Sequence, residues 1–111
     1  MNAVYTHKAK QWSEGFHLLQ IATTLLTEII GPSGDIVTAE WDRTEDDNGR
    51  ALYTLRICDP SGETKAKFPP EELNNRDYMR IRLYHLWGDI LEKRSHKQLE
   101  ALLNTGGTSG K

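Results

Sequence analysis

Two turn sequences divide residues 36–68 into three segments in which apolar and polar side chains alternate. Asp-Asp-Asn-Gly at 46–49 predicts a hairpin, because Asn-Gly accepts the positive φ angles that primed turns need. Asp-Pro-Ser-Gly at 59–62 predicts a type I turn, with proline second and glycine fourth. Segments joined by such short turns pair antiparallel, so we expect a three-stranded antiparallel meander. Its predicted strands are residues 36–44, 50–58 and 63–68.

The alternation leaves open which face of this sheet is covered. One face of the middle strand carries Tyr53, Leu55 and Ile57, and the other carries Leu52 with more polar neighbours. On the first strand, either Ile36 or Trp41 would lie on the outward side. An apolar sheet face left in solvent is more typical of a partner interface than of a catalytic cleft.

An apolar helix is predicted before the strands, over residues 11–30, and Gly31 followed by Pro32 ends it. Its apolar arc covers roughly 220°, well beyond the ~100° that one core-facing stripe requires. Such a helix must bury two sides. Its partners are expected to be the sheet plus either a second helix or another subunit. The stripe consists of Trp12, Phe16, Leu19, Ala22, Leu26 and Ile30.

A second helical pattern runs from about Asn75 to Lys93. Ser95 and Gln98 match a capping box, which predicts that the helix breaks or bends near Ser95. A short final helix would then carry three leucines. The inner stripe of the long helix is Met79, Leu83, Leu86, Trp87 and Ile90, and the leucines of the short one are Leu99, Leu102 and Leu103.

The predicted order of elements is therefore helix, three strands, helix and short helix. This order predicts an α+β fold in which helices cover one face of the meander. A chain of 111 residues has room for one domain. We expect that domain over residues 11–104, with a polar lead-in over 1–10 and a flexible tail over 105–111.

Composition and charge favour a cytoplasmic protein. Cys58 is the only cysteine, so no internal disulfide can form. We find neither a cleavable signal sequence nor a run of about 20 apolar residues that could span a membrane. The net charge is −2, unevenly spread: residues 35–72 hold ten acidic and five basic residues, whereas residues 76–97 hold three acidic and six basic residues.

No pattern in the sequence predicts a catalytic residue, a metal or a cofactor. The histidines lack the spacing of metal ligands on a helix. Cys58 has no base that the sequence places beside it, so a small buried or half-buried thiol is the expected role. The acidic residues around 40–47 lack the spacing of a calcium loop and are expected to be a solvated hairpin tip.

The basic second helix offers two interpretations. Arg80 falls near the apolar stripe, where its stem would cover the core while its guanidinium reaches Glu40 or Asp42; we favour this structural role. Alternatively, Arg76 and Arg80, at i and i+4, form an anion-binding pair.

Three functions remain. The favoured one is a small non-catalytic interaction or adaptor domain that self-associates, with a protein partner or a second copy bound. The alternatives are a nucleic-acid-binding module that uses the basic helix, disfavoured by the acidic overall balance, and a small ligand-binding protein or enzyme. The residues expected at the interface are Trp12, Phe16, Leu18, Leu25, Trp41 and Leu52.

Overall fold

The structure, a computed structural model, describes residues 1–109, with Ser33 and residues 105–109 described by their backbone alone. It contains four helices and a four-stranded mixed sheet, which confirms the α+β class. The strands are β1 (Asn2–Tyr5), β2 (Thr38–Glu45), β3 (Ala51–Asp59) and β4 (Gly62–Phe68). The helices are α1 (His7–Lys10), α2 (Phe16–Ile30), α3 (Pro70–Leu73) and α4 (Arg76–Ser109).

The sheet contains the predicted meander and one further strand. β2, β3 and β4 pair antiparallel in sequence order, and β1 pairs with β2 in parallel, with Ala3 opposite Ala39. The prediction of a polar lead-in over residues 1–10 is therefore wrong, since this segment forms β1 and α1. Four residues are too few for an alternation to show. The pairing partner of β1 is also distant in sequence, and only the folded chain brings it near.

The first hairpin turn differs in type from the prediction. Asn48 keeps a negative φ, and Gly49 alone is left-handed, at φ 78°. The amide of Gly49 donates to the carbonyl of Asp46 at 3.0 Å, and the amide of Asp46 donates to Arg50 at 2.9 Å. This is a type I turn followed by a glycine in the left-handed region, the usual longer hairpin connection.

The inward face of the sheet is the one that carries Tyr53, Leu55 and Ile57. Trp41 lies on the same face and is fully buried, and its indole nitrogen donates to the hydroxyl of Thr23 on α2 at 3.0 Å. α2 packs beside α4, and α4 lies over β3 and β4. The wide apolar arc of α2 is therefore buried or half-buried, and its two covered sides face the sheet and α4.

α4 is a single helix of 34 residues, so the predicted break near Ser95 is wrong. Its inner stripe is buried as predicted. On either side of Ser95, Arg94 and Lys97 bind the β3–β4 turn, which holds this part of the helix on the domain. The tail predicted over 105–111 overlaps the end of α4. Residues 110–111 lie outside the described residues, so the flexibility of this segment stays a prediction.

Candidate interaction face on helix α4

The side of α4 turned away from the domain carries a second apolar stripe. Each apolar side chain in it is between 43% and 70% exposed, whereas those of the inner stripe are at most 7% exposed. The spacing of three and four residues keeps the whole set on one face of the helix. We call this set the outer stripe: Ile81, Tyr84, Gly88, Leu91, Ser95, Leu99 and Leu102.

Two small residues interrupt the outer stripe at an interval of seven. Gly88 faces open space, because nothing apart from its chain neighbours and the nearby backbone of α4 lies within 4 Å of the position that a Cβ would occupy. Ser95 follows two turns later, and Leu91 stands between them at 43% exposure. The stripe is therefore not a uniform ridge. It alternates bulky side chains with positions where another backbone or side chain can approach closely.

The middle of α4 is held by a buried ion pair. Nε of Arg94 lies 2.6 Å from the carboxylate of Asp59, whose side chain is fully buried at the β3–β4 turn. The guanidinium of Arg94 also stacks over the ring of Trp87 at 4.9 Å. One turn further on, Nζ of Lys97 donates to the carbonyl of Pro60 at 2.9 Å. These contacts set the direction in which α4 leaves the domain.

The protonation of Asp59 is controlled by its surroundings. Burial raises the pKa of its carboxyl, but hydrogen bonds from Arg94 and from Ser61 together outweigh burial, so the pKa is lower than usual. The amide of Ser61 donates to this carboxylate at 2.7 Å. Asp59 is therefore ionised at neutral pH, and the charge that holds α4 is in place.

A second contact holds the beginning of α4. Arg82 lies 3.2 Å from the carboxylate of Glu72 in α3 and stacks over the ring of Phe68 at 4.6 Å. A hydrogen bond of 3.4 Å joins it to the carbonyl of Lys67. Arg82, rather than Arg80, is thus the arginine that extends over the core. Because contacts with the domain hold α4 at Arg82 and at Arg94, the segment between these residues keeps the outer stripe in a fixed position.

The last part of α4 projects from the domain. Arg94 and Lys97 make the last contacts with the β3–β4 turn that we describe. A helix advances about 1.5 Å per residue, so the dozen residues from Lys97 to Ser109 extend by roughly 18 Å. The molecule is accordingly elongated, 61 Å long against 30 and 23 Å. Leu102 and Leu103 lie in this projection, 70% and 64% exposed.

Two of the six residues predicted for the interface are inside the domain. Leu25 and Trp41 belong to the core, at 2% and 0% exposure. Trp12 stacks on Tyr53 with ring centroids 4.0 Å apart, because α1 folds back over the inward sheet face. Trp12 packs against the inward sheet face, to which Trp41 belongs, because this face needs apolar cover on the side where α1 and α2 lie.

Three further predicted interface residues are half-buried. Phe16 packs edge-on against Tyr5, with centroids 4.9 Å apart. Leu18 borders a cleft of about 140 Å³ between α2, α3 and the start of α4. Leu52 lies on the sheet face turned away from the helices. Binding of a partner by these residues stays a prediction.

Arg80 does not have the structural role favoured from the sequence. It is exposed, and within residues 1–109 no acidic side chain forms an ion pair with it. Its two expected partners point to the sheet face opposite the helices, since they alternate with buried residues of β2. There, Glu40 lies 3.6 Å from Arg56, and Asp42 accepts a hydrogen bond from Thr6 at 2.6 Å.

Anion binding by Arg76 and Arg80 stays a prediction. Both side chains are exposed, and Arg76 borders the cleft between α2, α3 and α4. The other bases of the helix are partly engaged within the domain, as Arg82 and Arg94 show. Lys65 and Lys67 extend from the sheet face that is turned away from the helices. The basic side chains therefore point in several directions and do not form one cationic surface.

The sheet face turned away from the helices is polar rather than apolar. Arg56 bridges Glu40 on one neighbouring strand and Glu63 on the other, at 3.6 and 2.9 Å. Cys58 is half-buried on this face. Among the described residues, no three His, Cys, Asp or Glu side chains are arranged to hold a metal ion.

Comparisons with known proteins found no matching family model, no similar curated protein and no similar solved structure. Within the described part of the chain, no helix is both long and apolar enough to cross a membrane.

The sequence does contain a pattern that indicates the outer stripe. Ile81, Tyr84 and Leu91 follow helical spacing, and Leu99 and Leu102 continue it. The predicted break near Ser95 places the leucines on a separate helix. Only a continuous α4 brings the two groups onto one face.

Proposed function

We propose that this protein is a self-associating, non-catalytic protein-interaction domain and that the outer stripe of α4 is its contact surface. The observation that supports this most directly is the exposure of 43–70% at Ile81, Tyr84, Leu91, Leu99 and Leu102, all on one helix face. Contiguous apolar surface of this kind marks interaction sites on soluble proteins. A single helix face with apolar residues at this spacing is a recurrent recognition element.

Other surfaces support the proposal less. The open sheet face carries the paired charges around Arg56, which are satisfied without a partner. Nucleic-acid binding would require a coherent cationic surface, but the net charge is −2 and the arginines are divided between structural contacts and solvent. A cytoplasmic site of action belongs to the same proposal and rests on the lone Cys58.

Light scattering coupled to size-exclusion chromatography tests the proposal. We expect the protein to be a dimer and Leu91→Glu to be a monomer, because the substitution places a charge in the middle of the contact. The matched control is Ile36→Glu, since Ile36 is 60% exposed but lies on the chain leading into β2. The control should remain dimeric. A wild-type protein that stays monomeric at high concentration would contradict the proposed function.

A further inference from the structure

We propose that the outer stripe docks against the outer stripe of a second copy, with the two α4 helices antiparallel. The two-fold axis passes between Asp89 and Ile90, midway between Gly88 and Leu91 of the outer stripe. This inference rests on the proposed self-association and specifies its geometry. It follows from the distribution of size, exposure and charge along α4.

The distribution of large and small side chains is complementary to itself about this axis. Leu91 lies one residue beyond the axis, and in an antiparallel pair it faces the partner's Gly88, where nothing occupies the space a Cβ would fill. Tyr84, 54% exposed, faces the partner's Ser95. In these two pairs, next to the axis, a bulky residue thus meets a small one, so that the two helices can approach closely there without voids.

The same arrangement covers two leucines of the projecting end, Leu99 and Leu103. Leu99 comes to lie against the partner's Ile81, which is 55% exposed in the single chain. Leu103 comes to lie near the partner's Tyr78, also exposed, at 38%. The end of α4 that has no cover from its own domain is therefore seated on the partner's domain, and the reverse contact is made by symmetry.

Charge along one edge of the stripe agrees with this direction. His85 and Glu92 directly follow Tyr84 and Leu91, and each faces the partner's copy of the other in the antiparallel pair. A parallel pair would instead place Gly88 opposite the partner's Gly88 and Ser95 opposite the partner's Ser95, leaving two voids in the contact. It would also bring Arg80 beside the partner's His85, a contact with no opposite charge.

The available area is sufficient. The exposed apolar side chains of α4 leave on the order of 600 Å² open per copy, so two copies together reach the roughly 1,000 Å² or more that a specific interface buries. The occupant is accordingly a second copy of this chain.

Disulfide trapping between two differently tagged copies tests the direction. Both chains carry Cys58→Ser, one carries Tyr84→Cys and the other Ser95→Cys; they are mixed, allowed to exchange subunits and oxidised. We expect the mixed product to predominate, since the two positions face each other within the reach of a disulfide. Tyr84→Cys alone should give little product, because its two copies are offset by roughly 16 Å along the helix. Asp47→Cys, on the distant hairpin, is the control for random collision.

Three outcomes would overturn the inference. Predominant products of Tyr84→Cys with itself and of Ser95→Cys with itself would show a parallel pair, and the proposed self-association would stand. No trapping at any α4 position in a protein that light scattering finds dimeric, and that Leu91→Glu leaves dimeric, would place the contact elsewhere. A monomeric protein would remove the proposed function and the inference together. Circular dichroism of each variant confirms that it is folded.

Discussion

Nε of Arg94 lies 2.6 Å from the buried carboxylate of Asp59, and this pair joins the β3–β4 turn to the middle of α4. Asp59 also accepts the amide hydrogen of Ser61, so the turn is closed and the helix attached through one side chain. Arg94 follows Leu91 of the outer stripe by three residues, so the pair lies beside the middle of that stripe. It therefore determines where α4 leaves the domain and how the stripe is presented.

Asp59→Asn should destabilise the domain by about 2–3 kcal/mol, because Arg94 would lose its charged partner in a largely buried setting. The measurement is urea unfolding at a protein concentration where the chain is monomeric. Asp47→Asn, on the exposed hairpin tip, is the matched control and should change stability by no more than about 0.5 kcal/mol. Equal stabilities for Asp59→Asn and wild type would contradict a structural role of the pair.

The contribution of Asp59 should disappear in acid. Its pKa is lower in the folded than in the unfolded chain, so folding favours the ionised carboxylate. The resulting stability is fully present above the unfolded pKa, about 3.9, and is lost as pH falls through the folded value. The difference in unfolding free energy between wild type and Asp59→Asn should therefore be constant from pH 7 to 5 and diminish below about pH 4. A difference that does not change with pH would contradict this assignment.

Thr23 should be more important than its exposed neighbour Thr24. The hydroxyl of Tyr5 and the indole nitrogen of Trp41 both lie 3.0 Å from Oγ1 of Thr23. Thr23→Val keeps the shape but leaves a buried indole N–H without an acceptor, which costs about 1–3 kcal/mol. Thr24→Val removes only a hydrogen bond to the carbonyl of Gln20 at the surface and should be close to neutral. The measurement is the thermal unfolding of Thr23→Val and of Thr24→Val, each compared with the wild type.

Gly88→Leu should change the stability of the single chain and the association of two chains in opposite directions. Leucine is a better helix former than glycine by about 0.5–1 kcal/mol, and the site is open, so the monomer should become more stable. In the dimer, the new side chain occupies the space that receives the partner's Leu91. The dissociation constant measured by analytical ultracentrifugation should rise at least tenfold. Tighter association would contradict the antiparallel pair.

The protein should not retard generic RNA or DNA in a gel at low salt. Binding to phosphates depends on cationic surface, and here Arg82 and Arg94 are engaged with Glu72 and Asp59. A shift that is lost in Arg76→Gln/Arg80→Gln and weakened by salt would instead favour the nucleic-acid alternative and identify its residues.

Much of the fold follows from local chemistry. The two turn sequences around Gly49 and Gly62 and the alternation between them predict the meander, and the inner stripe of α4 is buried as its periodicity indicates. Sequence reasoning missed β1 and α1, because segments of four residues carry no period and the partner strand of β1 lies far along the chain. Arg80 was misplaced for a related reason: the register of β2 turns Glu40 and Asp42 away from the helices.

By itself, the amino-acid sequence determined the α+β class, the meander, the apolar first helix and the contrast between an acidic middle and a basic helix. These depend on interactions between residues a few positions apart, which periodicity and turn chemistry record. Only the tertiary structure decided which sheet face is covered, that α4 continues past Ser95, and that Ile81, Tyr84 and Leu91 remain in solvent. Those outcomes depend on which surfaces distant segments bury, as Asp59 shows by binding Arg94 across 35 residues.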